Sequence, residues 1–251
     1  SRFSKKTHNN YRILKISKKV NFKKLNVLSK MEIKRVINDI KPNNIFYLAG
    51  QSSIPKSFNL SEETKNSNFT GAKNFLEIIE KEKIKTNFFK ANSGYIFKPN
   101  NGVIDLKCSL IKPNNPYVKA QQSAYKLIKK YRLRNLNCYS LIFMQIESPL
   151  RDKNFFIKKV CLHAKKRKKV VVGNIYTLRD YSWIEDIVKG VYYATFIKPC
   201  DIILSSGKKL SGRDILKYAY NLNKLNFKNF YSVNKTFIRK RENKIVIGSN
   251  S

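Results

Sequence analysis

The chain has 251 residues, 42% of them hydrophobic and 12% aromatic, and carries 52 Lys and Arg against 16 Asp and Glu, a formal net charge of +36. That length and apolar content suit a buried core and exclude a disordered chain, and no apolar run reaches the ~18 residues of a membrane helix. The charge alone suggests a polyanion partner, yet it is spread along the chain and no nucleic-acid motif accompanies it, so nucleic acid is disfavoured.

Local basic runs stand at Lys165–Lys169 (KKRKK) and Arg239–Arg241. The four cysteines, Cys108, Cys138, Cys161 and Cys200, form no C-x-x-C pair, and His8 and His163 are the two histidines. This pattern argues against a disulfide framework or a metal site and suits a reducing, cytoplasmic setting. The opening SRFSKK has no initiator Met and no apolar signal region, so the sequence reads as a possible fragment.

In chain order, Arg12–Ile16 and Lys24–Leu28 are short strand candidates. Ser29 then caps a helix, with Glu32 three residues on completing a capping box. Asn44–Leu48 is a continuous apolar run of the buried parallel kind. After a small polar loop, a helix is expected over Ser61–Lys81, a strand over Asn87–Ala91 and a helix over Pro116–Arg132. The strand Cys138–Met144 follows, then a basic helix over Asn154–Lys168 and the strand Val170–Val172. A helix over Trp183–Phe196, a strand over Asp201–Ser205, a helix from Ser211 to Tyr220 and a short helix near Glu242–Ile245 complete the chain.

Strands alternating with helices of this length predict an α/β fold: a parallel, Rossmann-like sheet with helices on both faces. The domain reading is residues 1–147 as a dinucleotide-binding part and 148–251 as a small substrate-binding part, with 170–206 returning to the sheet. Ligands of such sheets sit at the carboxyl ends of strands. Small polar residues follow there: Ala49-Gly50-Gln51 after Leu48, Asn92-Ser93-Gly94 after Ala91, and Gln145 and Glu147 after Met144. No glycine-rich turn of the kind that opens a dinucleotide-binding sheet stands near the start, so the expectation is either a fragment without the first βα unit or a protein that does not bind a dinucleotide in the usual way.

Several segments in order resemble the GDP-mannose 4,6-dehydratases, extended short-chain dehydrogenases/reductases: IKPNNIFYLAGQSS, FFKANS, NPYVKAQQSAY, ESPLR, VVVGNIYTLRDYSWIEDIVKG, LSSGKKLSGRDIL and KTFIRKRENKIVIGS. The resemblance implies an NADP-linked conversion of GDP-mannose to its 4-keto-6-deoxy derivative, in dimers or tetramers. It casts Ser93 and Tyr117 as catalytic, with Tyr117 taking a sugar hydroxyl proton. It places the cofactor along Asn26, Leu48, Ala49, Gly50, Gln51 and Tyr117. The GDP-sugar falls to Gln145, Lys159, Asn174, Arg179, Arg239 and Glu242. Arg179–Asp180 reads equally as a surface ion pair, and Lys159 as part of a solvated basic face.

Two catalytic positions depart from the family's pattern. Its lysine four residues after the Tyr is Gln121, which cannot depress a phenol pKa from ~10. Its glutamate two residues after the Ser is Tyr95, a poor base toward carbon. Lys119 falls on another helical face. General acid–base groups contribute ~10²–10⁴-fold each, so the expectation is little or no dehydratase turnover. Two alternatives stand beside it: a non-catalytic nucleotide-sugar-binding relative, and a basic nucleic-acid-binding module.

Overall fold

The computed structural model describes residues 10–238 and 243–249. The described residues fall into two compact units, one within residues 1–96, 110–142 and 195–202, the other within residues 97–109, 143–194 and 203–251.

The first unit is built on a four-stranded sheet whose order is Asn44–Tyr47, Asn87–Ser93, Cys138–Phe143, Asp201–Leu204. The first two strands run parallel, with Tyr47 opposite Lys90. Ile33 and Ile37 of the helix Lys30–Ile40 join Ala72, Phe75, Leu76 and Ile79 of the helix Gly71–Lys81 in covering one face. Ile128 and Tyr131 of the helix Pro116–Arg132 complete that layer against Tyr47, Phe88 and Cys138. Phe46, Phe89 and Tyr139 stack across three strands, with ring centroids 4.8 and 4.2 Å apart.

Ser29 caps its helix as expected, accepting from the Glu32 N–H. The Glu32 carboxylate, however, accepts from the Asn26 N–H and so closes a wider loop than a capping box. The two strands expected before it do not form. Residues 10–13 are helical, and Ile13 and Leu14 lie 58% and 52% exposed, so their alternation serves no sheet face. Residues 21–26 are irregular. Leu25 and Val27 still pack on the core, so the period of two there records a segment lying over it without a neighbouring strand.

The helix expected over Ser61–Lys81 is interrupted. Ser61–Lys65 is α-helical, Asn66–Thr70 forms a π turn, and Gly71–Lys81 resumes the α-helix. A short helix, Ile54–Asn59, precedes it, capped by Ser53.

In the second unit a four-stranded sheet has the order Leu210–Ser211, Leu178–Arg179, Ile245–Gly248, Val103–Ile104. Tyr231–Val233 pairs in parallel with Val170–Val172, and Gln145–Glu147 with Tyr181–Trp183. The helices Phe156–Lys165 and Gly212–Asn221 bury Val160, Ala164, Ile215, Leu216 and Tyr220 in a common core. Ser211 and Asp214 form a complete capping box. The short helix expected near Glu242–Ile245 is corrected. Ile245–Gly248 is a strand, as its β-branched run favours, while Glu242 lies outside the described residues.

Candidate active site

Ser93 ends its strand and Tyr117 lies in the first turn of the helix Pro116–Arg132, which Asn115 caps through the Val118 N–H at 2.9 Å. The two side chains meet in a hydrogen bond, and the Gln121 carboxamide reaches the same phenol from one turn on. The Tyr95 N–H donates to Ser93 Oγ at 3.2 Å, which leaves the serine proton to point elsewhere. Burial raises the Tyr117 pKa, and the hydrogen bonds from Ser93 and Gln121 do not offset it, while the neighbouring Tyr95 adds to the rise. Tyr117 is therefore held as a phenol. Lys119 is exposed, on a different face from Tyr117 and Gln121.

Gln121 also donates to Asn68 Oδ1 at 2.9 Å. Asn68 sits in the π turn and donates to the carbonyls of Gln51 and Thr64, both at 3.0 Å. The extra residue of a π turn re-aims a side chain, and here it joins the loop after the first strand to the helix bearing Tyr117. Gln121 Oε1 remains buried with no hydrogen-bond partner. Asn68 was absent from the sequence reading, whose only signal for it was a polar residue at an inward position of an apolar helix.

The loop proposed to lie along a cofactor is small and partly open. Leu48 is 64% exposed, Ala49 packs on the core and Gly50 faces outward. Gly50 is needed for Asn68, since a Cβ there would stand 2.4 Å from Asn68 Oδ1. The Gln51 amide is turned inward, donating to Ser53 O at 2.8 Å and Thr64 Oγ1 at 3.2 Å. Asn26 is committed to its own turn, its side chain accepting from the Leu28 N–H.

A second buried group escaped the sequence reading. Lys90, on the same strand as Ser93, is 1% exposed and donates to the Ala91 carbonyl, with its ammonium 5.6 Å from the Tyr47 ring centroid. Burial lowers its pKa to about 7.

Of the residues assigned to a GDP-sugar, Gln145, Lys159, Asn174 and Arg179 belong to the second unit, while Arg239 and Glu242 lie outside the described residues. Arg179 is 5% exposed and donates to the carbonyls of Leu178 at 2.8 Å and Lys244 at 3.4 Å. Asp180 is 1% exposed and accepts from Ser182, Ser206, Gly207 and Gly248. The pair is therefore no surface ion pair; both side chains are buried, Arg179 at the end of its strand and Asp180 just after it. Lys159 donates to the Val171 carbonyl at 2.7 Å, and Asn174 Oδ1 accepts from the Tyr176 N–H. The Gln145 N–H donates to the Asp180 carbonyl. Among the described residues no cluster of His, Cys, Asp and Glu could hold a metal ion, and no helix is long and apolar enough to cross a membrane.

Comparison with known proteins bears on the family and the fold. The chain is 24% identical over 196 residues to GDP-mannose 4,6 dehydratase 2 of Caenorhabditis elegans, covering 74% of this chain and 51% of that protein. It is 26% identical over 195 residues to GDP-mannose 4,6-dehydratase of Sinorhizobium fredii, covering 74% and 56%. The chain thus spans about half the length of the curated relatives it matches. In fold it is similar to UDP-glucuronic acid 4-epimerase from Bacillus cereus, solved with UDP-glucuronic acid and NAD. The TM-score there is 0.85 at 16% identity, over 97% of this chain and 77% of the epimerase. The family model for GDP-mannose 4,6 dehydratase matches residues 1–250, and the chain belongs to that family.

Proposed function

We infer that this chain is a nucleotide-sugar-binding member of its family, NADP-linked by descent, whose own polypeptide contributes little 4,6-dehydratase turnover. The observation that carries this reading is the neutral environment of Tyr117. Its pKa is raised, and the side chain one turn on is a carboxamide where a cation would favour the phenolate.

The residues fit a dinucleotide. Gln121 Oε1 is a buried acceptor without a partner, suited to a ribose hydroxyl, and the exposed loop at Leu48 and Gly50 leaves backbone open to a ligand. Leu48, Ala49, Gly50, Gln121 and Tyr117 would hold it, and a bound nicotinamide supplies hydride exchange at a carbinol carbon. Ser93 and Tyr117 orient a sugar hydroxyl by hydrogen bonds, Tyr117 as a phenol that leaves the hydroxyl its own proton. Tyr95 cannot serve as the carboxylate that removes a proton from carbon. The expected ligand on the sugar side is GDP-mannose or a close relative. The domain division at residue 147 and assembly as a dimer or tetramer belong to the same proposal.

The test is NADPH and GDP-mannose binding by calorimetry, followed by turnover assays on the wild type and on Gln121→Lys/Tyr95→Glu. Binding without turnover is expected for the wild type. The double variant should gain at least about 100-fold over it. Rapid wild-type turnover would show that neither substituted position matters, and absence of binding would remove the nucleotide-sugar reading.

A further inference from the structure

We propose that the second unit carries a binding surface for single-stranded nucleic acid, a groove along the helix Gly212–Asn221 flanked by the basic turn that packs beside its end. The sequence alone shows a diffuse excess of lysine; the fold concentrates part of it. The turn Lys165–Lys169 leaves the helix Phe156–Lys165 with all five cationic side chains exposed. Two contacts fix its place. Tyr220 Oη donates to the Lys168 carbonyl at 2.7 Å, and the Arg167 guanidinium donates to the Asn223 carbonyl at 3.3 Å. Lys217 and Lys224 line the depressions along the helix, and Lys228 in the turn that follows is exposed as well.

Two depressions share Lys217 and Asn221 along this helix. One, of about 360 Å³, is lined by Asp214, Lys217, Tyr218, Asn221 and Leu222. The other, of about 410 Å³, continues through Lys224, Asn226 and Phe227. Tyr218 and Leu222, one turn apart, are 70% and 69% exposed. None of the eight cations forms a salt bridge among the described residues. The single carboxylate in the groove, Asp214, is held below its usual pKa by hydrogen bonds from Ser211 and is thereby tied to the helix cap.

The combination selects the partner. Unpaired cations beside a groove attract phosphates, and an exposed aromatic ring offers a stacking face for a base, which a duplex keeps hidden. Asn221 adds an amide that can meet base edges. An anionic membrane would use the same cations without needing Tyr218, and an acidic peptide would use them without stacking. Single-stranded nucleic acid uses every feature of the groove.

The experiment is fluorescence anisotropy of the full chain with a labelled 20-mer of dT, its duplex counterpart, and vesicles of phosphatidylcholine and phosphatidylserine. The wild type should prefer the single strand, and engagement of four phosphates predicts an affinity loss of about 50-fold between ~50 and ~200 mM salt. Charge reversal in the turn (Lys166→Glu/Lys168→Glu/Lys169→Glu) should weaken binding at least tenfold. Lys81→Glu/Lys83→Glu/Lys85→Glu, an equal reversal on an exposed segment of the first unit, should change it less than threefold. Tyr218→Ala should lose about fivefold or more through stacking. All variants are checked for an unchanged melting profile. Equal losses from the two triple reversals, indifference to Tyr218→Ala, or binding to vesicles alone would each overturn the proposal.

Discussion

Lys90 poses the sharpest electrostatic problem at the scale of single residues. A fully buried ammonium held by one carbonyl and a ring face is under-compensated, which is why burial brings its pKa from 10.5 to about 7. In the unfolded chain the same lysine stays protonated until pH ~10.4. Between these values the unfolded state holds more protons, so stability rises with pH through that window, and the cost is fully present below pH 7. The shift is worth about 5 kcal/mol, on the order of 1.4 kcal/mol per unit. Lys90→Met should therefore stabilise the protein at pH 6.5 and flatten its stability between pH 7 and 9. Urea melts at several pH values measure this; parallel profiles for wild type and variant would show that Lys90 is not the titrating group. The Ser93, Tyr117, Gln121 trio could be read in the sequence because a strand end and an i, i+4 spacing fix it locally. Lys90 and Asn68 could not, since what surrounds them is set by the packing of distant segments. The surface reading of the Arg179–Asp180 pair fails for a related reason: an Arg–Asp pair in sequence looks solvated, and only the packing shows both side chains buried.

Among elements, the interrupted helix from Ser61 to Lys81 shows how one residue sets a junction. Gly71 opens the last α-helical segment, and a Cβ there would lie 2.1 Å from Tyr47 Oη and 2.8 Å from Val27 Cγ2. Tyr47 Oη in turn donates to the Ser67 carbonyl within the π turn, so the ring cannot simply swing aside. Helix propensity favours Ala over Gly by ~1 kcal/mol. Overpacking against a fixed core ring costs ~1–3 kcal/mol or more. The steric effect wins, and Gly71→Ala should lower stability by about 1–2 kcal/mol, which thermal denaturation can check. A stabilised variant would mean that Tyr47 is free to move. The long helices and the four strands of the first sheet were legible because their apolar periods and caps agree with the final packing. The N-terminal segments and the tail at Ile245 were not, because a five-residue alternation becomes a strand only where a neighbour offers backbone partners. Val103–Ile104 and Leu178–Arg179 offer them to Ile245–Gly248, and no strand among the described residues offers them to residues 12–16.

For the whole molecule, the excess of 52 cationic over 16 acidic side chains makes self-repulsion a property of the fold itself. The salt bridges present are mostly exposed, such as Lys30–Glu77 and Arg134–Glu80, and exposed pairs contribute only ~0–1 kcal/mol each. They cannot neutralise the remainder. The better buried network, Asp201 with Arg132 at 2.8 Å and the Tyr125 hydroxyl at 2.8 Å, ties the last strand of the first sheet to the Tyr117 helix and is shielded from salt. Screening should therefore relieve repulsion while sparing the buried pair. The melting temperature should rise as sodium chloride increases from ~20 to ~300 mM, because the Debye length falls over that range from about 20 Å to below 10 Å. Sucrose at matched osmolality separates this effect from general exclusion of cosolvent. Binding of an anionic ligand should raise stability most at low salt, where the uncompensated cations are least screened. A melting temperature that falls with salt would mean that the exposed pairs outweigh the net repulsion, reversing the ranking argued from their individual magnitudes.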